Sequence, residues 1–515
     1  MAEPQSPAPS RPRRLGAREL IELVLDHGSF IPWDTATAAV RGAGEEPDPE
    51  YAAELAAARE RAGTDEAVLT GSGAIHGHRI AVIVGEFRFL GGSIGRATAR
   101  RIVAAVERAT AEGLPLVAAP ASGGTRMHEG TPAFVEMVSI SRAVVAHKAA
   151  GLPYLVYLRH PTTGGVFASW GSLGHVTVAE PGALVGFLGP RVYEALHGEA
   201  FPAGVQVAEN LVDKGILDAV VAPDELASVA ARVLRLLGGP DHGRAAAAAD
   251  ARGEPAAAER EATDVWTSVQ LTRRPDRPGV RELLRHAADD VIPLSGTGDG
   301  EHDAGLMLAL TSFGGIGCVL IGQDRRYQTP RESMGPAALR EARRGMRLAE
   351  ELGLPLLAVI DTPGADLSPR AEEGALAGEI ARCLADMTRL TVPSVSVLLG
   401  QGCGGGALAL LPARRVVAAE HGWLSPLPPE GASAIVHHDV DHAAQMARRQ
   451  RIGADDLLAA GIVHAIVPER PAAHEDPVGF CRAVAACCAA QVRELLSEDL
   501  RRGRSARGGG SPRRR

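Results

Sequence analysis

The sequence contains one long segment twice, with matching phrases about 240 residues apart. Three pairs of phrases occur in the same order in both copies: Gly113-Leu114-Pro115 and Gly353-Leu354-Pro355, Gly164-Gly165-Val166 and Gly405-Gly406-Ala407, and Ala179-Glu180 and Ala419-Glu420. A closing pair, Lys214–Val221 and Ala460–Val467, has drifted to an offset of 246 residues. Solenoid repeats have periods of about 20–50 residues, so this spacing predicts a duplicated domain.

The length of 515 residues accommodates two large domains. Between the copies, residues 237–262 are poor in large apolar side chains and rich in Ala, Gly, Pro and charge, which is typical of a linker. The predicted organisation is a flexible and helical N-terminal extension (1–65), a first domain (66–236), the linker (237–262), a second domain (263–495) and a disordered basic tail (496–515).

Short β-branched runs alternate with alanine-rich stretches of helical periodicity in both copies. The predicted order is a strand, a helix and a buried strand, at 78–84, 101–112 and 114–118 in the first copy and at 318–321, 339–352 and 354–360 in the second. This alternation predicts the α/β class, with parallel strands joined by crossover helices.

The composition predicts a soluble protein that does not act on nucleic acid. No run reaches the ~18 apolar residues of a membrane helix, and residues 1–14 lack the apolar core of a secretory signal, so we expect a cytoplasmic location. The net charge is −8, and the seven arginines of residues 501–515 leave −15 on the remainder. An acidic body argues against a nucleic-acid enzyme. The tail either binds an acidic partner or, as we favour, is a solvated terminus.

Two glycine-rich segments follow buried strands at equivalent places. We call residues 163–169 the first glycine turn and residues 400–409 the second glycine turn; they follow predicted strands at 154–158 and 394–399. Glycine leaves the backbone N–H accessible, and a helix N-terminus supplies unpaired donors with a partial positive field. Close packing of helix on strand would explain one such segment. Two equivalent ones favour a pair of sites that stabilise negatively charged oxygen.

Side chains with an obvious catalytic pattern are missing from the sequence. It contains no G-x-S-x-G, HExxH or Walker A motif, and its six cysteines form no CxxC pair, which predicts reduced, buried thiols. His128 and Glu129 could act as an acid/base pair or simply begin a helix. The cluster His437-His438-Asp439 could bind a metal but is better interpreted as exposed polar side chains.

Several long motifs resemble one known family. Residues 70–223 resemble the β subunit, and residues 266–477 the α subunit, of the bacterial acetyl-CoA carboxylase carboxyltransferase. The motifs that carry the resemblance are Phe89–Gly95, Ala121–Glu129, Pro161–Val166, Ala179–Pro181 and Gly186–Val192 in the first copy, and Val269–Pro275, Asp361–Ala365, Glu379–Arg382, Gly402–Ala407 and Pro429–Gly431 in the second. The resemblance implies two duplicated crotonase-like domains, each a ββα superhelix, in a fused carboxyltransferase.

The resemblance also implies a reaction and roles for individual residues. The carboxyl group of carboxybiotin, carried on a separate protein, would be transferred to acetyl-CoA or another short acyl-CoA, giving malonyl-CoA for fatty acid biosynthesis. Gly164 and Gly165 would bind the thioester oxygen. Gly405, Gly406 and Ala407 would hold the biotin carbonyl, and Gly404 would also contact biotin. The CoA channel would be formed by Gly91, Gly92, Ser122, Gly123, Gly124 and Arg126, with Arg126 contacting a phosphate.

The implied partners are a biotin carboxyl carrier protein and a biotin carboxylase, in a homo-oligomer whose active sites lie between β-type and α-type domains. No membrane or nucleic-acid partner is expected. Residues 1–70 lack the four cysteines of the family's zinc ribbon, so no zinc is predicted.

Two segments depart from the family pattern. The polycationic segment that follows the first strand is reduced to Gln323–Thr329, and Asp361–Ala365 continues as Asp366-Leu367-Ser368, which raises the question of carrier docking. Two alternatives therefore stay open: a biotin-dependent decarboxylase of malonyl thioesters, and a non-catalytic regulatory paralogue. Acyl-chain preference and oligomer size are not predicted.

Overall fold

The computed structural model describes residues 14–33, 47–237, 263–328 and 333–508. These residues form two compact units. The first unit comprises the described residues up to Asn210 together with Val220–Ala231, and the second comprises Leu211–Ala219 and the described residues from Arg232 onwards.

The first sheet begins with antiparallel strands and continues with parallel ones. Its order is β1-β2-β3-β4-β5-β7-β9, and β6 pairs separately with β8. The strands are β1 (Ile31–Pro32), β2 (Val68–Ile75), β3 (His78–Gly85), β4 (Leu116–Ala119), β5 (Tyr154–Leu158), β6 (Thr162–Thr163), β7 (Val176–Ala179), β8 (Val185–Gly186) and β9 (Ala219–Val220). The helices are α1 (Ala17–Val24), α2 (Pro49–Ala62), α3 (Arg96–Ala111), α4 (Gly130–Ala149), α5 (Pro190–His197), α6 (Ala208–Asp213) and α7 (Leu226–Leu237).

The second sheet has the same plan. Its order is β10-β11-β12-β13-β14-β15-β17, with β16 paired to β14. The strands are β10 (Asp290–Leu294), β11 (Leu306–Phe313), β12 (Ile316–Gln323), β13 (Leu356–Thr362), β14 (Ser394–Cys403), β15 (Arg415–Ala419), β16 (Trp423–Ser425) and β17 (Ala465–Val467). The helices are α8 (Val265–Thr272), α9 (Val280–Ala287), α10 (Pro336–Leu352), α11 (Pro369–Glu373), α12 (Leu376–Arg389), α13 (Gly404–Leu408), α14 (Pro429–His437), α15 (Ala443–Arg449), α16 (Ala454–Ala459) and α17 (Pro477–Gly508).

The strand register places the two sheets in correspondence. Ala81 of β3 is paired with Leu116, the first residue of β4, and Val319 of β12 is paired with Leu356, the first residue of β13. Strands β4 and β5 are buried along their whole length, as expected for parallel strands covered on both faces. The predicted α/β duplication is therefore confirmed.

The second glycine turn begins differently from its prediction. The strand expected to end at Leu399 continues to Cys403. Its last residues keep pairing, since Gly402 is opposite Thr362 beyond a register shift in β13, and Cys403 is opposite Ser425 of β16. The helix α13 therefore begins only at Gly404.

The boundaries of the two compact units differ from the predicted domain boundaries. The N-terminal extension is part of the first unit, because Tyr51 and Leu55 of α2 pack in one cluster with Phe89. Residues 211–219 and 232–236 belong to the second unit instead of the first domain. Two ion pairs explain this, Asp218 with Arg344 at 2.8 Å and Arg232 with Asp290 at 2.6 Å.

The tail predicted to be disordered from residue 496 is helical as far as Gly508. Ion pairs of Asp499 with Arg414 at 2.7 Å and of Glu498 with Arg415 at 2.5 Å hold this part of α17 against β15 and the residue that precedes it. Most of the predicted linker, 238–262, and residues 509–515 lie outside the described residues. None of the described helices combines the length and the apolar character needed to cross a lipid bilayer.

Candidate active site

Three loops of the first unit meet at the first glycine turn. Thr163 N–H donates to the carbonyl of Ser122 at 2.9 Å, and Gly123 N–H donates to the carbonyl of Gly91 at 2.9 Å. The hydroxyl of Ser122 accepts from Gly124 N–H at 3.0 Å. The residues predicted for the CoA channel and the thioester site, apart from the side chain of Arg126, therefore lie together: Gly91, Gly92, Ser122, Gly123, Gly124, Gly164 and Gly165.

The loops approach so closely that two positions require glycine. Gly164 has φ +65°, and a Cβ there would lie 3.1 Å from the Cα of Gly124. Gly92 has φ +63°, and a Cβ there would lie 1.9 Å from the carbonyl oxygen of Ala121. Left-handed backbone and lack of space together exclude larger residues at both positions.

The first glycine turn presents three available donors in the described part of the chain, the N–H groups of Gly165, Val166 and Phe167. Gly164 N–H is occupied, because it donates to the carbonyl of Phe187 at 2.8 Å. Within the described part of the chain, the three N–H groups that follow it have no acceptor. The turn is a single helical turn, closed by Ala168 N–H to the Gly164 carbonyl at 3.1 Å, instead of the expected helix. Gly164 thus contributes backbone conformation, and the three residues after it contribute the donors.

Arg126 does not have the position predicted for a phosphate contact. Its side chain is 1% exposed, and its guanidinium donates to Glu66 at 2.5 Å and to the carbonyl of Ser93 at 2.8 Å. Burial opposes the charged form, but Glu66 outweighs burial, so the pKa of Arg126 is raised above its usual value. The buried side chain of Arg126 therefore stabilises the loop that contains Ser93.

His128 and Glu129 do not form an acid/base pair. The carboxylate of Glu129 accepts from the N–H of Arg96, at the start of α3, at 2.6 Å and from the hydroxyl of Tyr51 at 2.6 Å. His128 stacks on the ring of Tyr51 at 4.9 Å and pairs with Glu54 at 3.0 Å. Both side chains hold α2 to the loop instead of facing the glycine turn.

The second glycine turn offers donors at the start of α13. Gly404, Gly405 and Gly406 are its first three residues, and the first N–H groups of a helix have no acceptor one turn earlier. Gly404 and Gly405 are partly exposed. Ala407 is the fourth residue, whose N–H lies within reach of the Cys403 carbonyl, so the predicted role of Ala407 as a donor does not fit the helix.

A cavity of about 530 Å³ opens beside this turn. Gly404 and Gly405 form part of its wall, and the remaining wall is mainly apolar: Leu408, Leu424, Pro426, Leu457, Ala460 and Ile462. Arg451 and Asp456, paired at 2.9 Å, also line it. The cavity combines backbone donors with apolar walls, the combination that suits a small fused ring carrying a carbonyl group.

The motifs of the second unit converge under this turn. Arg273 binds both carboxylate oxygens of Glu430, at 2.6 and 3.0 Å, which joins two of the quoted motifs. Arg325 donates to the carbonyl of Thr272 at 2.6 Å. Gln323 is fully buried and donates to the Gly406 carbonyl at 2.8 Å. Gln323 and Arg325 belong to Gln323–Thr329, the segment considered for carrier docking. The side chain of Gln323 supports the second glycine turn, and that of Arg325 supports α8.

Among the described residues, the turns have neither a thiolate nor a cluster of metal-ligating side chains beside them. Burial raises the pKa of the Cys403 thiol to about 11, so it is protonated near neutral pH. In the ranges that the structure describes, no group of three or more His, Cys, Asp or Glu side chains is placed to hold a metal ion. At the cluster near residue 437, the rings of His437 and His442 stack at 4.3 Å, and His442 pairs with Asp439.

The two side chains that hold the turns were not found from the sequence. Gln323 contacts Gly406 across 83 residues, and only a structure shows that pairing. Ser169 donates to the carbonyl of Gly165 at 2.5 Å. It lies inside a segment that was singled out for its glycines, and the spacing of four residues was the signal available.

Known proteins resemble almost the whole chain. Residues 11–503 match the model of the carboxyl transferase domain family. The probable biotin-dependent acyl-coenzyme A carboxylase beta3 subunit of Mycobacterium bovis is 57% identical over 487 residues, covering 94% of this chain and 95% of the relative. The acetyl-coenzyme A carboxylase carboxyl transferase subunits beta/alpha of Salinispora arenicola are 38% identical over 498 residues, covering 94% and 88%.

A solved structure shares the fold. The transcarboxylase 12S structure determined with hydrolysed methylmalonyl-coenzyme A superposes with a TM-score of 0.73 at 20% identity, covering 94% of this chain and 90% of the other. This likeness confirms the predicted fold class of two duplicated crotonase-like α/β domains.

Proposed function

Because the chain belongs to the carboxyl transferase domain family, we propose that it transfers the carboxyl group of carboxybiotin to the α-carbon of an acyl-CoA. Relatives bear the names of an acyl-CoA carboxylase subunit and of acetyl-CoA carboxylase subunits. We propose a short acyl-CoA as acceptor, acetyl-CoA first, with malonyl-CoA as the product and fatty acid biosynthesis as its use.

The observation that carries this proposal is the pair of glycine turns. Each follows the equivalent parallel strand of its sheet, β5 in the first unit and β14 in the second. Carboxyl transfer develops negative charge on two oxygens, that of the thioester and that of the carboxyl donor. Preorganised backbone donors stabilise such charge, and one donor is typically worth about 10²–10³ in rate.

On the acyl-CoA side, the N–H groups of Gly165 and Val166 would bind the thioester oxygen. Their donors are in place before the reaction, so the enolate that forms at this oxygen is stabilised without reorganisation of the loop. The loops at Gly91-Gly92 and Ser122-Gly123-Gly124 would form the wall along which CoA lies, since Gly124 packs directly against Gly164 and Gly123 N–H donates to the Gly91 carbonyl.

On the biotin side, the N–H groups of Gly404, Gly405 and Gly406 would bind the ureido oxygen. The apolar wall of Leu424, Pro426 and the neighbouring side chains suits the fused rings. Carboxybiotin, when bound, supplies the activated carboxyl group. The chain's own contribution is to orient that group and to shield it from water.

We further propose a separate biotin carboxyl carrier protein and a biotin carboxylase as partners, in the cytoplasm. A homo-oligomer would place the acyl-CoA side of one protomer against the biotin side of another. Exposed apolar side chains on both units support this: Phe134, Val135 and Val138 on α4, and Ile435 and Val436 on α14.

Carboxyl transfer can be measured directly. The full-length protein is mixed with carboxybiotinylated carrier and either acetyl-CoA or propionyl-CoA, and the dicarboxylic thioester is quantified. We expect malonyl-CoA from acetyl-CoA at a rate above that of methylmalonyl-CoA formation. The absence of product with both acceptors, from a folded protein, would exclude the proposed function, and a preference for propionyl-CoA would exclude acetyl-CoA as the main acceptor.

Gly164→Val tests the first glycine turn. A valine strains the backbone at φ +65° and pushes against Gly124, so we expect a loss of about 100-fold or more in transfer. Gly113→Val is the matched control, because Gly113 has the same φ of +65° with no atom within 4 Å of an added Cβ. Both variants carry the strain of a valine at φ +65°, and Gly164→Val adds the contact with Gly124. Equal activity of the two would remove the first turn from the mechanism.

A further inference from the structure

Both glycine turns leave the same carbonyl without a backbone donor. In the first, Ala168 N–H donates to the Gly164 carbonyl at 3.1 Å, but Ser169 N–H donates to the Val166 carbonyl at 3.3 Å and so bypasses Gly165. In the second, Ala409 N–H donates to the Gly405 carbonyl at 2.9 Å, but Leu410 N–H donates to the Ala407 carbonyl at 3.2 Å and so bypasses Gly406. The carbonyl of Gly165 in the first turn, and that of the aligned Gly406 in the second, therefore receive no backbone hydrogen bond.

A side chain takes the skipped carbonyl in both turns. The hydroxyl of Ser169 donates to the Gly165 carbonyl at 2.5 Å. The side-chain amide of Gln323 donates to the Gly406 carbonyl at 2.8 Å. The repeat aligns Gly165 with Gly406, so the two hydrogen bonds are equivalent although their donors are unrelated.

The side chain that donates to this carbonyl comes from a different position in each copy. At the position of Ser169 the second copy has Leu410, which has no hydroxyl. At the end of β3, where the strand register places the equivalent of Gln323, the first copy has Gly85, which has no side chain. Each copy therefore keeps one donor for this carbonyl, at a different place in the chain.

This hydrogen bond determines where the N–H groups of the turn point. In the first turn, the Gly165 carbonyl shares one rigid peptide plane with the Val166 N–H, one of the donors of that turn. In the second, the bond to the Gly406 carbonyl anchors the short helix α13, whose first three residues carry the donors. A helix of five residues such as α13 is marginal by itself, so its geometry depends on outside contacts. Both polar atoms of the Gln323 side-chain amide are bonded: its oxygen accepts from Asp361 N–H at 3.1 Å, and its nitrogen donates to Gly406. The side chain is also fully buried.

We propose that Ser169 and Gln323 are positioning residues, each of which aligns the backbone donors of one anion site: Ser169 on the acyl-CoA side and Gln323 on the biotin side. This inference rests on the proposed function. Neither side chain touches the reacting atoms. Ser169 acts through the peptide whose carbonyl it holds, and Gln323 acts by anchoring α13 at the Gly406 carbonyl.

A crossed measurement tests the assignment. Two rates are measured for the full-length protein with carboxybiotinylated carrier: carboxyl transfer to acetyl-CoA, and CO₂ release without acyl-CoA, which needs only the biotin side. We expect Gln323→Met to lower both rates about tenfold, and Ser169→Ala to lower transfer about tenfold while CO₂ release stays within about twofold of wild type. Ser169→Thr keeps the hydroxyl and should restore transfer.

Thr311→Val is the control for stability. Thr311 is fully buried in β11 and donates to the carbonyl of Asp290 at 2.8 Å, away from both turns. It should lower the unfolding temperature as Gln323→Met does and leave both rates unchanged. The proposal is overturned if Gln323→Met spares CO₂ release, or if Ser169→Ala lowers it as much as transfer. A wild-type protein with neither rate would instead refute the proposed function.

Discussion

Arg126 shows what a residue in a recognised motif does once its partners are known. Its guanidinium is buried against Glu66, 60 residues earlier, and 5.4 Å from the ring of Phe89. The motif indicates correctly that this loop lies beside the glycine turn. The phosphate contact was implied by the family resemblance, whereas the pairing with Glu66 depends on a contact distant in sequence that no local pattern shows. Buried charge of this kind needs its partner, because an unpaired charge in the interior is costly.

Removing one partner of that pair should destabilise the fold. For Glu66→Gln we expect a loss of about 3 kcal/mol in the free energy of unfolding, because the buried Arg126 charge then keeps only the longer pair with Glu129, at 3.4 Å. Urea unfolding followed by circular dichroism gives the value. Glu112→Gln, which breaks the exposed pair with Arg108 at 2.7 Å, should cost less than about 0.5 kcal/mol. Equal losses would show that the buried charge is compensated by other groups.

Local signals at the level of elements were sufficient for much of the fold. Glycine turns, β-branched runs and apolar periodicity identified β3, β4, β5 and both turns. They did not identify the end of β14, because Gly400–Cys403 remains extended through pairing with β13 and β16. They also missed Gln323 as the donor to Gly406, since a side chain at the end of one strand has no local pattern that names its partner. Distant contacts decide both features.

Helix α4 contains a buried histidine that makes stability depend on pH. His147 contacts Thr110 of α3 at 2.9 Å, and burial lowers its pKa below the usual 6.5. As the pH falls below about 6.5, the unfolded chain takes up a proton that the folded chain does not, so stability falls. We expect the urea midpoint to decrease from pH 7.5 to 5.5, and to decrease less steeply in His147→Gln. Identical slopes would assign the pH dependence to other groups, such as His421, whose pKa burial also lowers.

At the scale of the whole molecule, the boundary in sequence is not the boundary in structure. Residues Leu211–Ala219, which include most of the closing phrase Lys214–Val221 of the first copy, pack in the second unit. There a Cβ on Gly215 would lie 2.3 Å from the carbonyl oxygen of Glu301 and 3.0 Å from the Cα of Gly296. The equivalent Gly461 in the second copy has no atom within 4 Å of such a Cβ. The duplicated phrases have therefore diverged in what they contact.

Gly215→Ala should act on the second unit alone. We expect a loss of about 3 kcal/mol, from strain at φ +68° and from the clash with Glu301. Gly461→Ala, at φ +71° in open space, should cost about 1 kcal/mol. Hydrogen exchange should increase in peptides around 290–301 and remain unchanged in β3 to β5. Faster exchange in the first sheet would contradict the assignment of this segment.

The two glycine turns differ in whether a short segment contains the side chain that holds the carbonyl. The first turn carries its hydroxyl four residues beyond the glycine that needs it, so a graft of residues 163–169 would bring its own support to another scaffold. The second depends on a strand 83 residues upstream, so the same short graft from that copy would arrive incomplete. Of the two turns, only the first therefore includes within its own seven residues the side chain that holds its backbone.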